Sequence, residues 1–295
     1  MGKSIEDLKL DNFSGSFELS QKSLGMLSDF ITKSTEKKPE KLIEALNRFA
    51  KTMIKSQPNM VSIRKKVTAI VYHTKRLVKA GKSIEEIKQS SEQKIQEIIK
   101  AAEDKRSKIG VIGSKLIMNN VKIMTISSSA LIREMFLNAH KIGRKFSVYC
   151  LESRPQNEGH CLAEALAKKG ITTTLITDAM MGQVMPEITM IVSGADRIYE
   201  SGFVNKTGTL PLAITAKTFQ VPFYLAVETD KILKEIDRTI RFYPQDGNEV
   251  YSRQNKSLSV LNYYFESVSF DYVNKIICED GVFDIAEFKN WYLED

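Results

Sequence analysis

Cysteine is scarce in this chain: three residues, Cys150, Cys161 and Cys278, among 295, and no CxxC pair. An odd, scattered set without a secretion signal speaks for reduced thiols and against a disulfide framework or a cysteine-held zinc. The three histidines, His73, His140 and His160, lie far apart in sequence with no HExxH spacing, so no metal site is expected. No apolar run approaches the ~20 residues that span a bilayer, and the opening MGKSIEDLKLDNF has no apolar core before a small-residue cleavage site. A cytoplasmic protein without membrane contact is the expectation. GxGxxG, GxxxxGK[ST] and GxSxG are also missing, which argues against a dinucleotide oxidoreductase, a P-loop nucleotidase and an elbow-type hydrolase; no cofactor is expected.

What is present has globular proportions, with 42% hydrophobic and 27% charged residues. The net charge of +7 divides unevenly: residues 1–118 hold 24 Lys and Arg against 14 Asp and Glu, a balance of +10, and residues 119–295 hold 19 against 22, a balance of −3. A basic first part fits an acidic partner, and equally the ordinary lysine-rich surface of helices. Helical spacing runs through that part, in Leu42, Leu46, Phe49 and Met53, then in Val67, Ile70, Val71, Thr74 and Leu77. Ser83 followed by Ile-Glu-Glu reads as a helix start, with Ile84, Ile87, Ile95, Ile98 and Ile99 on one face. From Val121 the rhythm changes. The runs 121–126, 145–151, 172–176, 188–193 and 221–227 are β-rich and alternate with helical patterns, which predicts a doubly wound parallel sheet with strands apolar on both faces. The expected organisation is an all-helical domain over 1–118 and a Rossmann-like α/β domain over 119–295, with a polar interruption at 229–257.

Ligands of such sheets bind beyond the carboxyl ends of the strands, which directs attention to four loops. Ser127-Ser128-Ser129 precedes a helix and suits a phosphate, although serines there also serve as plain N-caps. Glu152 to Gly159 carries Arg154, a planar donor fork for phosphate or carboxylate, or else one half of a surface pair with Glu152 or Glu158. Gly194-Ala195-Asp196-Arg197 offers an acid that could act as base or hold sugar hydroxyls, with a turn role as the plainer alternative. Asn205-Lys206-Thr207-Gly208-Thr209 leads into a helix with a lysine placed to neutralise an anion. Together the four loops favour a phosphorylated small-molecule pocket.

These loops, in this order, resemble the family uniting the regulatory alpha, beta and delta subunits of translation initiation factor 2B with ribose-1,5-bisphosphate isomerase and methylthioribose-1-phosphate isomerase. The motifs that carry it are FSVYCLESRPQNEG (146–159), VSGADRIYESGFVNKTGT (192–209) and FDYVNKIICEDGVF (270–283), with a weaker extension through KSQPNMVSI (55–63). The resemblance implies a helical domain before a Rossmann-like one, dimerisation through the second, and initiation factor 2 as partner of the first. It also implies catalytic positions. The isomerases carry a cysteine in a Thr-His-Cys stretch where Thr125-Ile126-Ser127 stands here, and their aspartate matches Asp196. Their Arg-Gly-Ala turn corresponds to Ser14-Gly15-Ser16, and their Arg-Pro pair to Gln57-Pro58. Three of these four positions have changed.

A serine hydroxyl has a far higher pKa than a thiol near ~8.5, so it is a poor acid or base without a partner. The leading expectation is therefore a non-catalytic initiation factor 2B subunit-like regulatory protein, a homodimer or larger homo-oligomer. It binds a sugar phosphate or nucleotide through Ser14, Gly15, Ser127, Ser128, Arg154, Asp196, Asn205 and Lys206. Arg64, Lys65 and Lys66 are the candidate surface for initiation factor 2, with a solvated helix face as the alternative. The rival reading is an active aldose-ketose isomerase of ribose 1,5-bisphosphate or methylthioribose 1-phosphate, with Asp196 as acid and base and Ser127 or Cys161 as a rearranged partner. Direct RNA binding is disfavoured because no stacking aromatics accompany the lysines.

Overall fold

A computed structural model describes residues 5–11, 14–58, 60–233, 241–253 and 257–292. They form two compact units, 1–105 and 106–295, and the division falls inside one long helix.

The first unit is helical: α1 (Ile5–Leu10), α2 (Ser16–Thr32), α3 (Pro39–Ser56), α4 (Val61–Lys79) and the first part of α5 (Ile84–Ser114). Leu42, Leu46 and Met53 of α3 are fully buried, as are Leu24 and Leu27 of α2 and Val67 and Ile70 of α4, because positions three and four apart share one helix face. Phe49 stacks on Phe30 at a centroid distance of 4.5 Å. Pro39 opens α3, where its missing N–H costs no helical bond. The start of α5 is the expected reciprocal cap: the Glu86 N–H donates to Ser83 Oγ at 3.2 Å and the Ser83 N–H donates to the Glu86 carboxylate at 2.9 Å.

The second unit begins before residue 119. Ile109 near the end of α5 and Ile117 just after it are fully buried in one cluster with Ile123, Phe136 and Val148, so the end of α5 and the turn that follows pack with the sheet. Its strands are β1 (Lys122–Thr125), β2 (Ser147–Leu151), β3 (Thr172–Ile176), β4 (Met190–Gly194), β5 (Arg197–Tyr199), β6 (Gly202–Lys206), β7 (Phe223–Ala226), β8 (Phe265–Ser269), β9 (Lys275–Cys278) and β10 (Gly281–Phe283). The helices are α6 (Ala130–Lys141), α7 (Glu158–Ala167), α8 (Met181–Val184), α9 (Thr209–Thr218) and α10 (Ile285–Tyr292). Seven strands form one sheet in the order β10-β9-β7-β4-β1-β2-β3, all parallel except β10. Hydrophobic clusters cover both faces, around Met124, Leu151 and Leu225 on one and Ile123, Val148 and Val192 on the other. The all-apolar expectation fails at β3, an edge strand whose Thr172, Thr174 and Leu175 are exposed. A second sheet, β5-β6-β8, is antiparallel and was not anticipated from the sequence. Within the polar interruption, residues 234–240 and 254–256 lie outside the described residues.

From β1 the chain moves outward through β2 and β3, then crosses to β4, β7 and β9 on the other side. The crevice beyond the carboxyl ends of β1 and β4 is thus the switch point where open α/β sheets bind ligands. One residue brings α7 tightly against this edge: a Cβ at Gly159 would lie 1.8 Å from the Leu151 carbonyl oxygen. That neighbour is backbone and cannot rotate away. Gly159→Ala is expected to destabilise the fold by about 2–3 kcal/mol in urea unfolding, near the upper range for overpacking; a loss below ~0.5 kcal/mol would show that the β2–α7 approach is loose.

Candidate functional site

Beyond β1 the chain turns at Ser127, whose φ of 67° is left-handed for a residue with a side chain. That turn is held from two sides. The Ser127 N–H donates to Ser153 Oγ at 2.7 Å, and the Ser127 hydroxyl donates to Glu158 Oε1 at 3.3 Å. Ser129 is the N-cap of α6 and accepts from the Ile132 N–H at 3.4 Å; Ser127 and Ser128 precede it, half-buried. Of the three serines, Ser129 is thus the cap and Ser127 ties the turn to the β2 loop and α7.

The β2 loop is anchored by an acid that sequence reasoning did not single out. Asp178 accepts the Ser153 N–H at 2.9 Å and the Arg154 N–H at 2.8 Å, one on each carboxylate oxygen. The Arg154 side chain is exposed, and its guanidinium donates to its own neighbour, the Pro155 carbonyl, at 3.4 Å. Asp178 follows β3 by two residues, so its signal, an acid just past a strand end, existed in the sequence.

Glu158 is not half of a surface pair with Arg154. It is buried at the start of α7, and its Oε1 lies 2.9 Å from Lys206 Nζ, with side chains only 11% and 5% exposed. Burial pushes the Glu158 carboxyl above its ordinary value near 4.5, while the ammonium of Lys206 and the Ser127 hydroxyl pull it back down. Because this folded-state value exceeds the unfolded one, the group favours the fold at acidic pH. That contribution is lost as pH rises through the raised value. Lys206 also stands 5.2 Å from the centre of the Tyr264 ring, whose hydroxyl donates to Glu249 and accepts from Gln156 at 2.5 Å. Burial first, then Glu249, raises the Tyr264 phenol, which stays neutral. Asn262 donates to Glu249 Oε2 at 2.9 Å and helps to fix that carboxylate, both of whose oxygens the Tyr264 hydroxyl reaches.

The remaining positions are tied into hydrogen bonds within the second unit. The buried Asn205 amide donates to Ser193 Oγ at 3.2 Å and Thr209 Oγ1 at 3.0 Å, tying β4 to α9. At the start of α9 the anion is internal too: Glu266 Oε1 accepts the Gly208 and Leu210 N–H groups at 2.7 and 2.8 Å. Asp196 is half-buried past β4, its N–H on the Val204 carbonyl at 2.9 Å. The preceding Ala195 carbonyl accepts from Lys231 Nζ at 2.8 Å, and Lys231 pairs with Glu228 at 3.2 Å.

Ser127, the Arg154 loop and Lys206 are brought together around Glu158 in the second unit. Ser14 and Gly15 belong to the first. There the Ser14 hydroxyl donates to Asp11 at 2.8 Å and accepts from Lys22 at 2.7 Å, while Gly15 is the N-cap residue of α2. On α4, Arg64 and Lys65 are exposed, but Lys66 is buried and donates to Ser20 Oγ at 3.0 Å, so it is no part of a surface. Among the described residues no group of three or more His, Cys, Asp or Glu could hold a metal ion, and no helix is long and apolar enough to cross a membrane.

The model of the initiation factor 2 subunit family matches residues 12–285, and the chain belongs to that family. It is 29% identical over 284 residues to the ribose 1,5-bisphosphate isomerase of Archaeoglobus fulgidus, covering 95% of this chain and 88% of that protein. It is 34% identical over 170 residues to translation initiation factor eIF2B subunit alpha of Caenorhabditis elegans, covering 56% of each. Among solved structures, the translation initiation factor eIF-2B of Pyrococcus horikoshii OT3 superposes with a TM-score of 0.82 at 25% identity, covering 95% of both chains.

The buried pair makes a measurable statement about stability. Lys206→Met leaves Glu158 as an unmatched buried charge and should cost about 3–5 kcal/mol. In the Glu158→Gln, Lys206→Met double variant that charge is gone, so its loss should be well below the sum of the two single losses. Additive losses in urea unfolding would mean that the two groups do not interact.

Proposed function

We propose that this member of the initiation factor 2 subunit family is a regulatory, non-catalytic protein that binds a sugar phosphate or nucleotide in the second unit and contacts initiation factor 2 through the first. The reading includes a cytoplasmic location and a homodimer joined through the second unit. The observation that carries it is Ser127 after β1, its hydroxyl turned to Glu158 and Glu158 already engaged by Lys206. Aldose-ketose isomerisation moves a proton between neighbouring carbons and needs a group that gives and takes protons near neutral pH. A serine beside a carboxylate that is itself held by an ammonium is not such a group. Two of the three thiols are poor substitutes: Cys150 is buried in the sheet with its pKa pushed up to about 12, and Cys278 is buried; the third, Cys161, is exposed on α7. In this reading Arg154, Ser127, Ser128, Asn205, Lys206 and Asp196 form the pocket, all of them in the second unit.

The competing reading, an active isomerase, draws support from Asp196, which stands past β4 at the switch point. Purified protein should form no ketose from ribose 1,5-bisphosphate or methylthioribose 1-phosphate. Turnover abolished by Asp196→Asn would overturn the non-catalytic reading. A sugar phosphate or nucleoside monophosphate at 100 times its dissociation constant should add about 2.7 kcal/mol of stability. Melts that ignore every such ligand would contradict the binding role.

For the partner surface, the Arg64→Glu, Lys65→Glu variant should mainly slow association with initiation factor 2 and flatten its salt dependence, since exposed charges act through steering. Its melting curve should not change. Unaltered association kinetics at low salt would return these two residues to a solvated helix face.

A further inference from the structure

Two anion positions in this pocket are already filled from within the chain. Glu158 holds Lys206 at 2.9 Å, and Glu266 takes two N–H groups at the start of α9. An incoming phosphate meets a neutralised lysine and a negative carboxylate at one place and an occupied helix start at the other. The second oxygen of Glu158 has the opposite need: Oε2 is buried and has no hydrogen-bond partner. A buried acceptor left unpaired is costly, and the group that satisfies it is a donor, such as a hydroxyl. The last torsion of a glutamate is broad and roughly twofold, so either oxygen can turn toward the pocket while the other keeps Lys206. The exposed guanidinium of Arg154, four residues earlier in the same loop, bonds its own chain at 3.4 Å and can turn to a phosphate.

We propose that Glu158 sets the ligand specificity of the pocket, accepting a hydroxyl of a sugar monophosphate whose single phosphate lies toward Arg154, and excluding a second phosphate from the Lys206 end. The inference rests on the sugar-phosphate reading above and names the class within it: a polyol monophosphate rather than a bisphosphate.

The test is calorimetric titration of the full chain with ribose 5-phosphate and with ribose 1,5-bisphosphate, in wild type and E158Q. Wild type should prefer the monophosphate by on the order of tenfold, since like charges brought together at a binding site are strongly disfavoured. In E158Q the ammonium of Lys206 is uncompensated, and the preference should shrink by about tenfold or reverse. A merely structural role for Glu158 lowers both affinities together and leaves their ratio alone. An unchanged ratio, or a wild type that binds the bisphosphate as tightly as the monophosphate, overturns the proposal, and the wild-type comparison stands by itself should E158Q not fold. Absence of heat with both ligands in both proteins defeats the sugar-phosphate reading as well, an outcome distinct from binding without selectivity.

Discussion

The Glu158–Lys206 ion pair depends on three separate pieces of the second unit arriving at one place, and the candidate site takes its character from it. Glu158 is delivered by α7, which can start against the end of β2 only because residue 159 lacks a side chain. Lys206 comes from the end of β6, in a small antiparallel sheet outside the parallel one. The turn at Ser127 closes the arrangement from β1. Two charges out of water are expensive apart, and their attraction offsets that cost only when the geometry is good and further hydrogen bonds contribute. Here Ser127 supplies one such bond, and the Tyr264 ring, fixed through Glu249 and Asn262, walls Lys206 on another side.

This pair recasts the electrostatics of the candidate site. Read along the chain, Lys206 and the start of α9 look like phosphate sites. In the folded protein each already has a carboxylate, from Glu158 and from Glu266. The same pair bears on chemistry, because the carboxylate oxygen that accepts from the Ser127 hydroxyl also holds the ammonium of Lys206. Family membership covers both isomerases and initiation factor subunits among the relatives of this chain, so the residues of the site, rather than the fold, are what separate the two readings.

Much of the architecture was legible because it is written locally. Apolar runs bounded by polar turns marked β1, β2, β3, β4 and β7, and the Ser83–Glu86 cap was visible as four consecutive residues. The small sheet was not, since β5 has three residues and β6 ends in Asn205-Lys206, which read as a loop. Burial of charge was the other blind spot. Glu158 and Lys66 look like surface residues by type, and what buries them is a partner far away in sequence, Lys206 in one case and Ser20 in the other. Pairing of that kind depends on tertiary contact and leaves no periodic signal. Asp178, which secures the Arg154 loop through two backbone N–H groups, was missed because its role is visible only once β2 and β3 lie side by side.

The account stands on Glu158 being a buried carboxylate matched to Lys206. Carbon-13 NMR titration of the labelled Glu158 carboxyl reads this directly, in wild type and in Lys206→Met. Burial outweighs the ammonium, so the wild-type group should titrate above its ordinary value near 4.5, and removal of Lys206 should move it higher still. A carboxyl that titrates in the ordinary range and does not respond to the loss of Lys206 would contradict the account.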